Sequence, residues 1–236
     1  MERSPDTFQS RVMEREVEYL WFGNSGRALV MFPTSGGRYW ENQERGLIDA
    51  LGAHIEEGRL QVCCIDAWND ETWNNNDIAP VERVQRHDRY DRMLSEELFP
   101  MVAARAGRND VAVFGASLGG YHAANFAARH PDQVTRCIAL SGLFDNRRML
   151  DGHWDEACYF HCPTAFVPNM DAEWTERLRG VEWVIATGEH DSLVHETRNF
   201  AGILRDKGIG VYTEIWPGVF GHDWPFWKEH LPRFIP

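Results

Sequence analysis

Several things are scarce in this chain of 236 residues, and each scarcity excludes something. Basic charge is outnumbered, with 24 Lys and Arg against 36 Asp and Glu, for a formal net charge of −12. Such a surface argues against nucleic acid, anionic membranes and polyanionic substrates as general partners. Long apolar runs are lacking: no stretch approaches the roughly 18 apolar residues of a membrane-spanning helix. The opening Met1–Asp6 has no signal-peptide core. Cysteine is sparse, and five residues with Cys63 and Cys64 adjacent in an apolar run do not make a disulfide framework. A reducing, cytoplasmic setting without membrane association is the expectation. Internal repeats, low-complexity tracts and linker-like stretches are lacking too, so the expectation is one domain spanning 1–236.

What is present is enough apolar material for a sizeable core, 43% of residues, with 12% aromatic and ten tryptophans. Residues 16–22 alternate and end at the turn cluster Gly23-Asn24-Ser25-Gly26, followed by a second strand over 27–32. The two read as an antiparallel hairpin. Pro33-Thr34-Ser35-Gly36-Gly37 then leads into helical spacing over 41–57 and a short buried-strand pattern over 60–65. A polar loop carrying Trp68 and Trp73 fills 66–77. A highly charged helix candidate spans 81–106, where Pro100 should kink or end it. Further strands are predicted over 111–114, 134–140, 181–187 and 211–216, with helices over 121–130, 193–207 and 224–234. Strands alternating with helices imply α/β architecture, a mostly parallel sheet covered on both faces. The stretch 143–180 shows no strand pattern and is too long for an ordinary connection, so it reads as an inserted lid.

The chemistry is concentrated in Gly115-Ala116-Ser117-Leu118-Gly119-Gly120. Strand, then G-x-S-x-G, then helix is the context of a nucleophile elbow, where a serine on a strained turn projects at a helix N-terminus. Sites in open α/β sheets assemble just past the strands' carboxyl ends. Gly188-Glu189-His190-Asp191 follows one such strand and Gly221-His222 follows the next. The order Ser117, Asp191, His222 is nucleophile, acid, base. Glu189 and Asp145 compete for the acid role, and His195 and His230 for the base, although both histidines fall within predicted helices. Acyl transfer also needs donors for the tetrahedral oxyanion. The Leu118 N–H and one from the 34–37 loop, with Ser35 the expectation, would supply them.

With these residues in place the chain resembles an α/β-hydrolase of the putative-esterase (esterase D-like) family, which includes S-formylglutathione hydrolases, feruloyl esterases and mycolyltransferase-like enzymes. The resemblance runs from the first strand pair to His222. Many family members carry His-Gly where this chain has Pro33-Thr34, so the second oxyanion donor stays open at this point. The resemblance implies an α/β-hydrolase fold and a cofactor-free serine esterase working on a small-molecule ester. Acyl transfer, thioester or peptide hydrolysis on the same triad, and a non-catalytic binding protein on the same fold, are the alternatives. Oligomeric state is not readable.

Other groups carry less. His153, Cys158, His161 and Cys162 are zinc-competent residue types, but their spacing is not a familiar zinc pattern, and no metal is expected. His122, on the first turn of the elbow helix, reads as a satisfied core or surface histidine, with a supporting role at the site as the alternative. Cys63 and Cys64 read as core. Trp68 and Trp73 are expected to line the substrate pocket, with pinning of the polar loop as the competing reading. Arg38, Tyr39 and Trp40 after the 34–37 loop, and Trp154, Tyr159 and Phe160 in the insert, are further substrate-contact candidates.

Overall fold

The computed structural model describes residues 3–235. Eight strands form one sheet in the order β1-β2-β4-β3-β5-β6-β7-β8. They are β1 (Arg3–Ser10), β2 (Arg15–Phe22), β3 (Arg27–Met31), β4 (Leu60–Ile65), β5 (Ala112–Ala116), β6 (Arg136–Leu140), β7 (Glu182–Gly188) and β8 (Val211–Trp216). β1 and β2 are antiparallel, as are β2 and β4, and every other neighbouring pair is parallel.

The strand composition explains the order. β4 is buried at every position, and Ala28–Met31 of β3 likewise, which suits central parallel strands sandwiched between helices. Alternate residues feed two cores. Ala28, Val30, Cys63, Val113 and Ile185 pack on one face with Met93, Leu98, Phe126 and Phe200. Leu29, Met31, Val62, Phe114 and Ala186 pack on the other with Leu47, Leu51, Phe226 and Leu231. All five cysteines are free and buried, with Cys63 and Cys64 on opposite faces.

Three expectations change. The predicted hairpin of 16–22 with 27–32 does not form: β4 lies between the two strands, pairing antiparallel with β2 and parallel with β3. A strand as apolar as β3 takes two parallel neighbours, and β2 takes the antiparallel flank. The strand that does hairpin with β2 is β1, whose polar sequence and Pro5 gave no strand signal and suit an edge. The interruption around Pro100 is absorbed rather than terminal. The helix Pro80–Met93 runs through one wide π turn, Leu94–Leu98, into Phe99–Ala106, whose first turn contains Pro100.

The stretch 143–180 holds short helices, Glu156–Phe160, Pro163–Phe166 and Ala172–Arg179. It is knitted into the body. Phe144, Phe166, Val167 and Leu178 enter the first core, and Leu143, Leu150 and Cys158 pack with Leu118, Tyr121 and Trp73. Among the described residues no helix is long and apolar enough to cross a membrane.

Candidate active site

β5 ends at Ala116, and the helix Leu118–Arg129 begins two residues on. Ser117 makes that turn at φ 57°, in the left-handed region where a non-glycine residue is strained. The glycines beside it permit the close approach. A Cβ on Gly115 would lie 1.9 Å from the Gly119 carbonyl oxygen, and one on Gly119 would lie 2.6 Å from that of Pro33. The helix start is thereby pressed against the strand on one side and the 33–37 loop on the other.

His222 bridges the other two predicted residues. Its Nε2 lies 3.1 Å from Ser117 Oγ, and its Nδ1 lies 3.0 Å from Asp191 Oδ1 and 3.2 Å from Oδ2. The Asp191 side chain is fully shielded from solvent while that of His222 is 32% exposed. Burial raises the Asp191 carboxyl pKa, but hydrogen bonds from His222, Thr187 Oγ1 and the Leu193 N–H outweigh it and hold the group below the usual aspartate value. The carboxylate is therefore ionised at neutral pH.

The loops bearing these residues are locked together. A Cβ on Gly221 would lie 2.3 Å from the Gly188 nitrogen, and the His190 N–H donates to the Val219 carbonyl at 2.9 Å. Beneath them sits Ser141, fully buried at φ 52°. Its hydroxyl donates to the Gly221 carbonyl, accepts from Trp227 Nε1 at 3.0 Å and lies 3.2 Å from Thr187 Oγ1. Sequence reasoning missed Ser141, Thr187 and Trp227. Ser141 at the carboxyl end of β6 was the available signal.

The rival residues have other partners. Glu189 accepts from the Gly218 N–H at 2.9 Å, and Asp145 pairs with Arg147. His195 is exposed beside Glu196, and His230 stacks on Trp216 with ring centroids 4.0 Å apart.

In the 33–37 loop the Thr34 N–H donates to Glu41 Oε2 at 2.8 Å and the Gly37 N–H to the Thr34 carbonyl at 3.1 Å. Those bonds leave the Ser35 and Gly36 N–H groups as the loop's uncommitted donors among the described residues. On the elbow helix, Leu118 is the first helical residue, and its N–H has no carbonyl one turn back to bond.

The two indoles expected at the pocket lie deeper than that. Trp68 is 4% exposed, packs edge-on against Tyr90 beneath Arg15, and borders a groove of about 620 Å³ that contains none of Ser117, Asp191 and His222. Trp73 is 2% exposed, between His87 and Tyr121 in the cluster that also holds Leu118. Arg38 is drawn to the buried Asp66 and covers Trp40. Trp154 remains open at 43% exposure, with Arg147 across its face.

The zinc-competent residues do not converge as a set of four. His161 bonds Asp88 at 3.0 Å, and Cys162 faces Thr164. His153, Asp155 and Cys158 do come together, with ligand atoms within 4.8 Å of one another. Asp155 is engaged there as the helix cap of the Cys158 N–H at 2.8 Å, and burial pushes the Cys158 thiol up to about 11.

A hydroxyl, an imidazole and a shielded carboxylate in line, beside unbonded N–H groups, can pass one proton and meet one developing negative charge. The family model described as "Putative esterase" matches residues 42–235. Among solved structures, a ferulic acid esterase is similar over 100% of this chain and 96% of its own, with TM-score 0.78 and 20% identity. The S-formylglutathione hydrolase of Agrobacterium tumefaciens is similar over 99% and 95%, with TM-score 0.74 and 16% identity. The fluorophosphonate-binding serine hydrolase F of Staphylococcus aureus is similar over 99% and 96%, with TM-score 0.71 and 15% identity. At these identities the likeness is one of fold, and the fold is that of the α/β-hydrolases. Among curated proteins no sequence match is found.

Proposed function

The chain belongs to the Putative esterase family and is a carboxylic ester hydrolase, and from that premise we propose that it cleaves small-molecule esters through Ser117, His222 and Asp191 by way of an acyl-enzyme. The observation that carries this reading is the bridging imidazole, 3.1 Å from Ser117 Oγ and 3.0 Å from Asp191 Oδ1.

Ser117 Oγ attacks the ester carbonyl carbon while His222 Nε2 takes the hydroxyl proton. Asp191 keeps the other ring nitrogen protonated and stabilises the imidazolium. The negative charge forming on the carbonyl oxygen is met by the N–H groups of Leu118 and Ser35, each worth on the order of 3 kcal/mol in such sites. Collapse breaks the carbon–oxygen bond, and the alcohol leaves with the proton from His222. Water, deprotonated by the same imidazole, then attacks the acyl-enzyme and releases the acid with Ser117 restored. Every step uses groups of the chain.

Two finer readings accompany this one. We take the chain as one domain in which 143–180 acts as the wall that sets specificity, supported by the packing of Leu143 and Leu150 against Leu118. We also place the protein in a reducing compartment such as the cytoplasm, since its five buried cysteines are free thiols.

A substrate panel tests the proposal: p-nitrophenyl esters of increasing acyl length, methyl ferulate and S-formylglutathione, each with the parent protein and with Ser117→Ala. Turnover of at least one ester that Ser117→Ala abolishes is the expected result. Equal turnover by the two proteins on every ester cleaved would overturn the assignment of Ser117.

A further inference from the structure

In a trans peptide, a carbonyl and the following N–H lie in one plane and point in opposite directions. Whatever grips the Thr34 carbonyl therefore sets the direction of the Ser35 N–H. Two donors grip it: the Gly37 N–H at 3.1 Å, within the loop, and Asn69 Nδ2 at 3.3 Å, from a loop 35 positions away. Asn69 is 2% exposed, and its Oδ1 lies 2.8 Å from His122 Nε2. Since the amide NH₂ of Asn69 is turned to a carbonyl, its oxygen faces the ring, and the imidazole is the donor. His122 sits on the helix that begins with Leu118.

We propose that His122 and Asn69 are positioning residues that aim the Ser35 N–H at the substrate carbonyl, linking the elbow helix to the oxyanion loop, with Asn74 bracing the loop from outside. This rests on the Ser117 reading above. One helix then presents the first oxyanion donor directly, through the Leu118 N–H, and orients the second through side chains.

Three observations beyond the relay itself support this. His122 Nδ1 is buried without a partner among the described residues, a cost that an apolar residue would avoid if the position served packing alone. The bond to Asn69 is what the imidazole adds. Burial also pushes the His122 imidazole down to about 3, so the ring is a neutral donor at neutral pH. Finally, the loop is held elsewhere with equal care. Asn74 Nδ2 donates to the Ser35 carbonyl at 2.8 Å and lies 2.9 Å from Ser35 Oγ, while Glu41 accepts the Thr34 hydroxyl at 2.9 Å. The Asn74 N–H bonds the Asn69 carbonyl at 2.7 Å and joins the two asparagines.

The test is ester hydrolysis by Asn69→Asp, His122→Ala, His122→Gln and Asn74→Ala, with thermal midpoints measured alongside and Ser117→Ala as control. Asn69→Asp keeps the shape and the His122 bond but sets an oxygen against the Thr34 carbonyl. It and His122→Ala are expected to lose about 10- to 100-fold in kcat with KM nearly unchanged, the cost of a displaced oxyanion donor. His122→Gln retains an N–H toward Asn69 and recovers most of that loss. Asn74→Ala lies on the surface, remains folded, and shows a smaller loss of the same kind. Folded Asn69→Asp and Asn74→Ala proteins with the parent kcat would overturn the relay, as would His122→Gln no better than His122→Ala, or losses confined to KM. If Ser117→Ala retains the parent's activity, the triad reading fails and the relay with it. An inactive Ser117→Ala beside fully active relay variants removes the relay alone.

Discussion

Two loop systems meet the elbow, and they are held in different ways. On the histidine side, Gly188 and Gly221 bring backbone against backbone, and Ser141 ties the Gly221 carbonyl to the sheet from below. On the oxyanion side, the 33–37 loop is fastened by side chains from elsewhere: Glu41, Asn69 and Asn74. Contacts of the first kind need glycine at fixed places and so leave motifs. Contacts of the second kind need only an amide or carboxylate within reach, which many sequences satisfy by chance. The division of labour differs too. In the proposed mechanism the histidine side moves the proton, and the oxyanion side receives the charge.

The largest effect should come from the acid. Asp191→Asn keeps the shape but removes the charge and replaces one accepting oxygen beside His222 Nδ1 by an NH₂ donor, which upsets the tautomer, and is expected to lower kcat on the order of ten-thousand-fold. Glu189→Gln, on the same turn but turned to the Gly218 N–H, should stay close to the parent enzyme. Comparable losses in both would break the assignment of the acid. Steady-state kinetics of the pair decides it.

Next comes the contact between the elbow helix and the oxyanion loop. Gly119→Ala places a methyl 2.6 Å from the Pro33 carbonyl oxygen. The loop must move away, with an expected drop of roughly 100-fold in kcat, as for a donor misplaced by about 1 Å, and KM little changed. A smaller loss follows on the histidine side from Ser141→Ala, which leaves the Gly221 carbonyl and Trp227 Nε1 without their buried partner. Chemical denaturation should show a cost of about 1–3 kcal/mol, with part of the kcat retained.

The smallest effect on catalysis lies behind the elbow helix, away from both loops. Asp91 is buried, and burial raises its pKa. The bonds and charges of His130 and Arg129 outweigh this and hold the carboxyl down to about 2. A depressed carboxyl pKa contributes stability that is complete above the unfolded value near 4 and is lost as pH falls toward 2. Thermal midpoints measured between those limits should fall for the parent protein and fall less steeply for Asp91→Asn, while the Asp191–His222 pair is left unaltered.

The contrast between the loops also explains what was legible in the sequence. Ser117, Asp191 and His222 could be named because the turn geometry demands glycine around each and the strand order puts them at the carboxyl ends of parallel strands. The parallel core was readable from strands such as Leu60–Ile65, apolar at nearly every position. β1 was not, since an edge strand has one neighbour and can be polar. The predicted hairpin failed because turn residues at Gly23–Gly26 say that the chain turns, and not which strand will slip between. Trp68 and Trp73 were placed at the pocket because they follow a strand end; their burial against Tyr90 and Tyr121 depends on helices far along the chain. Asn69, His122 and Ser141 carry no pattern of their own. Their bonds exist only once three loops and a helix are assembled.

In the proposed mechanism everything depends on Ser117 being an activated nucleophile. Reacting the folded protein with a fluorophosphonate and mapping the adduct by peptide mass spectrometry tests it most directly. One adduct is expected, on the peptide containing Ser117, absent from Ser117→Ala and formed far more slowly in His222→Ala. A folded protein that takes no label, or that takes it on another residue, would contradict it.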